Sequence, residues 1–159
     1  PARGPGATMI GRALAIVSDL SFDLQPAGWR LTDNPGIDHR RARSLLAQDL
    51  DALEEQIQDF RGVLKIQVAG PWTLAAMVEK PRGDKVLSDH GARRELAQGL
   101  AEGVAEHLAD VRRRVGAARV VVQVDEPALP AVLAGAVPTA SGFGRHRVVH
   151  PPEVSAALE

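Results

Sequence analysis

Apolar residues in this chain recur first at helical and then at strand spacing. Residues 8–20 carry Met9, Ile10, Leu14, Ile16, Val17 and Leu20, a pattern that predicts a mostly buried helix. Pro26, Gly28, Pro35 and Gly36 break the period over 21–36, which reads as an ordered loop or irregular strand region. From 38 to 60, Leu45, Leu46, Leu50, Leu53, Ile57 and Phe60 form one stripe of an amphipathic helix, with Asp38 as its N-cap and Gly62 as its stop. Residues 63–70 alternate as a short strand, and Pro71 suits the first turn of a helix over 71–80. Ser88 or Asp89 then caps a long helix to Val115, with Gly116 at its C-terminal cap. A second strand follows from Arg119, then a short helix or turn over 128–135, extended chain, and a helix opened by Pro151.

Strands separated by long helices predict βαβ units and a parallel sheet. Two such strands are too few for a complete sheet or barrel, and both ends of the chain read as cut. The expectation is a single α/β domain over 1–159, forming part of a larger fold.

The two strand ends match each other. "IQVAGP" at 66–71 lies over "VQVDEP" at 122–127, pairing Gln67 with Gln123 and Ala69 with Asp125. Alternate residues of a strand share a face. Ile66 and Val68, like Val120, Val122 and Val124, belong under helices; Gln67, Ala69, Val121, Gln123 and Asp125 face the other way. A polar face ending in a carboxylate suits the carboxyl end of a barrel or doubly wound sheet, where such folds place their ligands. On the residues alone Asp125 stays open between a site carboxylate, a cap for the following helix and a partner for an arginine. The two glutamines stay open between internal hydrogen bonding and ligand contact. Glu126 points to the opposite face and reads as structural, serving a helix N-terminus.

Composition narrows the function classes. Of 159 residues, 45% are hydrophobic and 25% charged, with a net charge of −1, so no global field favours nucleic acid or an anionic membrane. No apolar run reaches the length of a transmembrane helix and no signal-peptide core is present, so the expected compartment is the cytoplasm. There is no cysteine, which excludes disulfides and thiolate metal ligands within this chain. His39, His90 and His107 fall on helical or capping positions and read as solvated. His146 and His150 lie in an Arg-rich stretch with no acidic neighbour in sequence. The Gly-x-Gly of "SGFGR" at 141–145 lacks a strand–helix context and carries no phosphate-loop reading.

"VVQVDEPALP" at 121–130, "VAGPWTLAA" at 68–76 and "QPAGW" at 25–29 together resemble the cobalamin-independent methionine synthase family, in its catalytic C-terminal barrel. The likeness spans residues 25–130 and is closest in style to short, single-barrel actinobacterial members. It implies a partial (β/α)8 TIM barrel of the uroporphyrinogen decarboxylase and methionine synthase type, truncated at both ends. It implies transfer of a methyl group to the thiol of homocysteine, from 5-methyltetrahydrofolate or a corrinoid. The motif aspartate, here Asp125, would contact the amino group of homocysteine. Gln123, Gln67, Trp29, Trp72 and Thr73 complete the expected substrate-binding set.

The resemblance also implies a zinc ion that turns the substrate thiol into a thiolate. The family's His, Cys, Glu and Cys ligands follow the Asp-Glu-Pro strand, so zinc is expected in the full-length protein and not on these residues. Met77 and Ala131 stand where the family has an aromatic and an acidic residue. Two other readings remain: a barrel enzyme acting on an acidic tetrapyrrole, as uroporphyrinogen decarboxylase does, and a non-catalytic barrel that binds a small molecule or protein. Partners are homocysteine and a methyl donor, without nucleic acid or membrane. An unpaired parallel edge strand also predicts self-association.

Overall fold

The computed structural model describes residues 3–116 and 118–159. The described residues form a mixed α/β assembly with two two-stranded sheets, one antiparallel and one parallel. The described residues form no closed barrel.

Helix α1 (Met9–Ile16) is started by Thr8, whose hydroxyl accepts the Gly11 N–H at 3.2 Å. Strands β1 (Ser21–Gln25) and β2 (Gly28–Thr32) follow as a hairpin, with Leu24 opposite Trp29 and Phe22 opposite Leu31. Of the two readings of 21–36, a loop or an irregular strand region, the structure has strand, with Pro26 and Gly28 at the turn of the hairpin. Gly28 has a φ of 128°, which an L side chain rarely adopts. Beyond β2, Glu79 extends the pairing: Leu31 N–H donates to Glu79 C=O at 2.9 Å and Glu79 N–H to Trp29 C=O at 2.8 Å. The Glu79 carboxylate is buried and meets the Arg30 guanidinium at 2.6 Å and the Lys85 ammonium at 3.7 Å, which keeps a buried charge paired.

Helix α2 (Ile37–Gln56) buries His39, Ala42, Leu46 and Leu50 along one stripe. Its N-cap is Gly36, and Asp38 lies in the first turn. The helix stops before Phe60, which is exposed. Strand β3 (Val63–Ala69) leads through Gly70 into α3 (Pro71–Met77). A short 3-10 turn then precedes α4 (His90–Val115), where the Asp89 carboxylate accepts the Ala92 N–H at 3.0 Å as N-cap. Strand β4 (Arg119–Asp125) returns parallel to β3 with Gln67 opposite Gln123 and Ala69 opposite Asp125. Two short helices close the described chain, α5 (Leu129–Leu133) and α6 (Pro151–Ala156).

The covered face of the parallel pair is made by Leu64, Ile66, Val68, Val120 and Val122, which pack on the common core with α1 and α4. Val124 belongs to this face by alternation but is 49% exposed.

Two features of the packing were not evident from periodicity. First, α4 approaches the α1–β1 link through glycines. A Cβ on Gly103 would stand 1.7 Å from the Ile16 carbonyl oxygen, and one on Gly99 would stand 2.6 Å from that of Ser18. Ser18 N–H donates to the Gly99 carbonyl at 2.9 Å across this contact. Second, His39 is not solvated: it is fully buried. Its Nδ1 accepts the Phe22 N–H at 3.2 Å and its Nε2 lies 3.0 Å from the Leu14 carbonyl, so the proton belongs on Nε2. The ring meets Phe22 edge to face, with centroids 5.2 Å apart. His39 thus joins α1, β1 and α2.

Both features make predictions. Gly103→Ala should destabilise the fold by about 1–3 kcal/mol in urea denaturation, because two backbones must separate; an unchanged midpoint would contradict the close approach. Burial, reinforced by Arg43, lowers the His39 pKa below its usual 6.5, outweighing the Leu14 carbonyl and Asp23. Below pH 6.5 the unfolded chain therefore binds a proton that the folded chain refuses, and stability falls as the pH drops toward the lowered value. His107, lowered chiefly by burial, acts in the same sense. Thermal melts should show this loss below pH 6.5 and a shallower one in His39→Gln; identical slopes would contradict it.

Candidate functional site

Two adjacent carboxylates stand at the carboxyl end of β4, and the backbone sends them to different places. Glu126 turns toward the N-terminus of α3. Its Oε1 accepts the Trp72 N–H at 2.9 Å, and its Oε2 accepts both the Thr73 N–H and the Thr73 hydroxyl at 2.6 Å. The first N–H groups of a helix have no partner within it. Here Pro71 has none to satisfy, Gly70 N–H donates to the Asp125 carbonyl at 2.9 Å, and Glu126 takes the next two. Thr73 Oγ1 also accepts the Ala128 N–H at 3.3 Å, which closes the turn after β4. A Cβ at position 70 would meet the Glu126 carboxylate and push it from its place, so glycine suits this position. Glu126 therefore serves a helix N-terminus, as its place on the strand suggests, but that of α3 rather than of the helix following it in sequence.

Asp125 turns to the opposite, open face of the sheet. Gln67 Nε2 donates to its Oδ2 at 3.2 Å, and Gln123 Nε2 donates to its Oδ1. The two glutamines stand opposite each other in register, one on each strand. Gln123 Oε1 accepts from Lys65 Nζ at 2.9 Å. Among the described residues no cationic side chain lies within 4.0 Å of the Asp125 carboxylate. A carboxylate offers about four acceptor positions, and two of them here are filled by amides.

Of the six residues expected to bind substrate, Asp125, Gln123 and Gln67 come together on this face. Thr73 is buried with its hydroxyl committed to Glu126. Trp72 is 2% exposed and donates its indole N–H to the Val154 carbonyl at 3.2 Å, so it fastens α6 to α3. Trp29 is buried in the core beneath the hairpin. Lys65 lies outside the three motifs that carry the resemblance. The same alternation that pairs Gln67 with Gln123 puts Lys65 on their face, two residues before Gln67.

Larger hollows lie elsewhere. One of about 420 Å³ is lined by Trp72, Ala75, Ala97 and Ala101 between α3, α4 and α6. Another of about 500 Å³ lies between α2 and α4, with Arg43, His107 and Arg114 on its walls. Neither includes Asp125. The directed donors and acceptors of the open face single it out.

His146 has an acidic neighbour that the sequence hides. It is buried, and its Nε2 lies 3.1 Å from Asp84 Oδ1, though off a hydrogen-bonding line. Asp84 sits in the left-handed region at φ 61°. Burial would raise its pKa, but the Lys85 and Ala140 N–H groups, His146 and Lys80 outweigh that and lower it. This contact ties the 80–85 loop to the 138–146 loop. Among the described residues no three His, Asp or Glu side chains converge as metal ligands. With no cysteine in the chain, these residues do not fit the zinc that the resemblance implies.

No family model matches the chain, and no curated protein or solved structure matches it significantly.

The two carboxylates should separate cleanly by stability. Glu126→Gln leaves one α3 N–H without an acceptor and should cost on the order of 1–3 kcal/mol in chemical denaturation. Asp125→Asn, on the open face, should stay within about 0.5 kcal/mol of the parent. Equal costs for the two variants would contradict this division of roles.

Proposed function

We propose that the chain is the central part of a methionine-synthase-like (β/α)8 barrel, and that Asp125 binds the ammonium group of homocysteine for transfer of a methyl group to its thiol. The observation that carries the reading is the Asp125 carboxylate, held at a parallel strand end by two glutamine amides with acceptor positions left over. An ammonium is a donor-only group, and a carboxylate with free lone pairs is its natural partner through charge-assisted hydrogen bonds. The strand-end placement agrees with where (β/α) barrels build their sites. The "VVQVDEPALP" and "VAGPWTLAA" motifs supply the family.

In this reading the described residues bind and orient the amino acid. The methyl donor, folate or corrinoid, and the zinc that would activate the thiol belong to parts of the site that these residues do not form. Cytoplasmic placement is part of the same proposal; among the described residues no helix is long and apolar enough to cross a membrane. The tetrapyrrole alternative has less support, because the Gln-x-Asp-Glu-Pro block at 123–127 speaks for the methionine-synthase resemblance.

Titration with L-homocysteine tests the proposal. Asp125→Asn should weaken binding by about 1–3 kcal/mol, while 4-mercaptobutyrate, which lacks the amino group, should bind parent and variant equally. Unchanged homocysteine affinity in the variant would remove Asp125 from the site.

A further inference from the structure

We infer that Lys65 is a positioning residue for the Asp125 carboxylate, acting through Gln123; this rests on the reading of Asp125 as the ammonium site. Lys65 stands opposite Val121, and Gln67 stands opposite Gln123. Lys65 therefore reaches Gln123 diagonally across the pair, a distance long side chains span. Its ammonium donates to Gln123 Oε1 at 2.9 Å, and Gln123 Nε2 donates to Asp125 Oδ1.

The chemistry of the two ends fixes the middle. Lys65 can only donate, and ionised Asp125 can only accept. A glutamine amide between them satisfies both in one of its two flip states and neither in the other. Lys65 thus holds the Gln123 NH2 group toward Asp125. Gln67 braces the second oxygen at 3.2 Å, and the plane of the carboxylate is set from both sides. Gln123 has one bond at each end of its amide within this chain, which makes it a positioning residue for Asp125.

The relay has a sign that simple electrostatics does not. A lysine near an ammonium site repels the ligand, so by Coulomb's law alone its removal should tighten binding. The relay requires the reverse.

The experiment measures L-homocysteine affinity for the chain and for Lys65→Met, Lys65→Arg, Asp125→Asn and the Lys65→Met/Asp125→Asn double variant. It also follows the side-chain amide resonances of Gln123 and Gln67 by NMR. Lys65→Met should weaken binding about three- to tenfold, the effect of one lost hydrogen bond. Lys65→Arg should stay within about twofold, since it keeps a donor at this position. The double variant should bind no more weakly than Asp125→Asn alone, because the relay acts only through that carboxylate. In Lys65→Met the Gln123 amide resonances should move toward those of a solvated glutamine while those of Gln67 stay in place.

Affinity unchanged or improved in Lys65→Met, with Asp125→Asn impaired, overturns the relay and leaves the ammonium site standing. Asp125→Asn without effect, or no homocysteine binding by the parent chain, overturns the ammonium site instead. The relay is then decided by the Gln123 resonances, and resonances that do not move in Lys65→Met overturn it.

Discussion

The Glu126 carboxylate in the first turn of α3 is the contact on which the arrangement of this end of the sheet depends. It accepts the two N–H groups and the one hydroxyl that Trp72 and Thr73 present. It thereby locks the end of β4 to the start of the helix that follows β3. Three neighbouring identities follow from it. Gly70 leaves room for the carboxylate, Pro71 removes a donor that would otherwise be orphaned, and Thr73 can turn its hydroxyl to close the 126–128 turn. A negative charge is also favoured at a helix N-terminus by the peptide dipoles.

With Glu126 committed to the covered side, strand alternation sends Asp125 to the open side. The two carboxylates are one residue apart in sequence and have opposite work. One is spent on structure; the other is held by amides with acceptor capacity remaining. The open face continues this logic toward the start of the strands, where Lys65, Gln123, Asp125 and Gln67 form one polar chain over two strands. His39 and the glycines of α4 do the equivalent task for the covered face, by letting α1, α2, α4 and β1 meet without unsatisfied backbone groups or steric conflict.

Much of this was legible in the sequence because it follows short-range rules. The period of 2 in 63–69 and 119–125 gave the strands and the matched glutamines, but at the strand ends the faces depart from it: Ala69, assigned to the open face, is fully buried and Val124, assigned to the covered one, is exposed. The cap expected at Ser88 or Asp89 is Asp89, and Pro71 and Pro151 open helices as expected, because those roles are decided within a turn of chain. What was hidden depends on distant partners. The hairpin at 21–32 was masked by Pro26 and Gly28, which are turn residues there, and by a pairing with Glu79 that no local window contains. Burial of His39 depends on Phe22 and Leu14, and the neighbour of His146 is Asp84 on another loop. Trp29 and Trp72 have the residue type of a ligand platform, but the packing of the hairpin and of α6 uses them instead.

The central claim is that the adjacent carboxylates divide the labour, Glu126 to the helix and Asp125 to an ammonium. A crystal structure of the chain with L-homocysteine tests it most directly. The account predicts the ligand nitrogen at about 3 Å from an Asp125 oxygen, with Glu126 still on the Trp72 and Thr73 N–H groups and Gln123 still between Lys65 and Asp125. A ligand nitrogen on Glu126, or a ligand seated away from the open face, would contradict it.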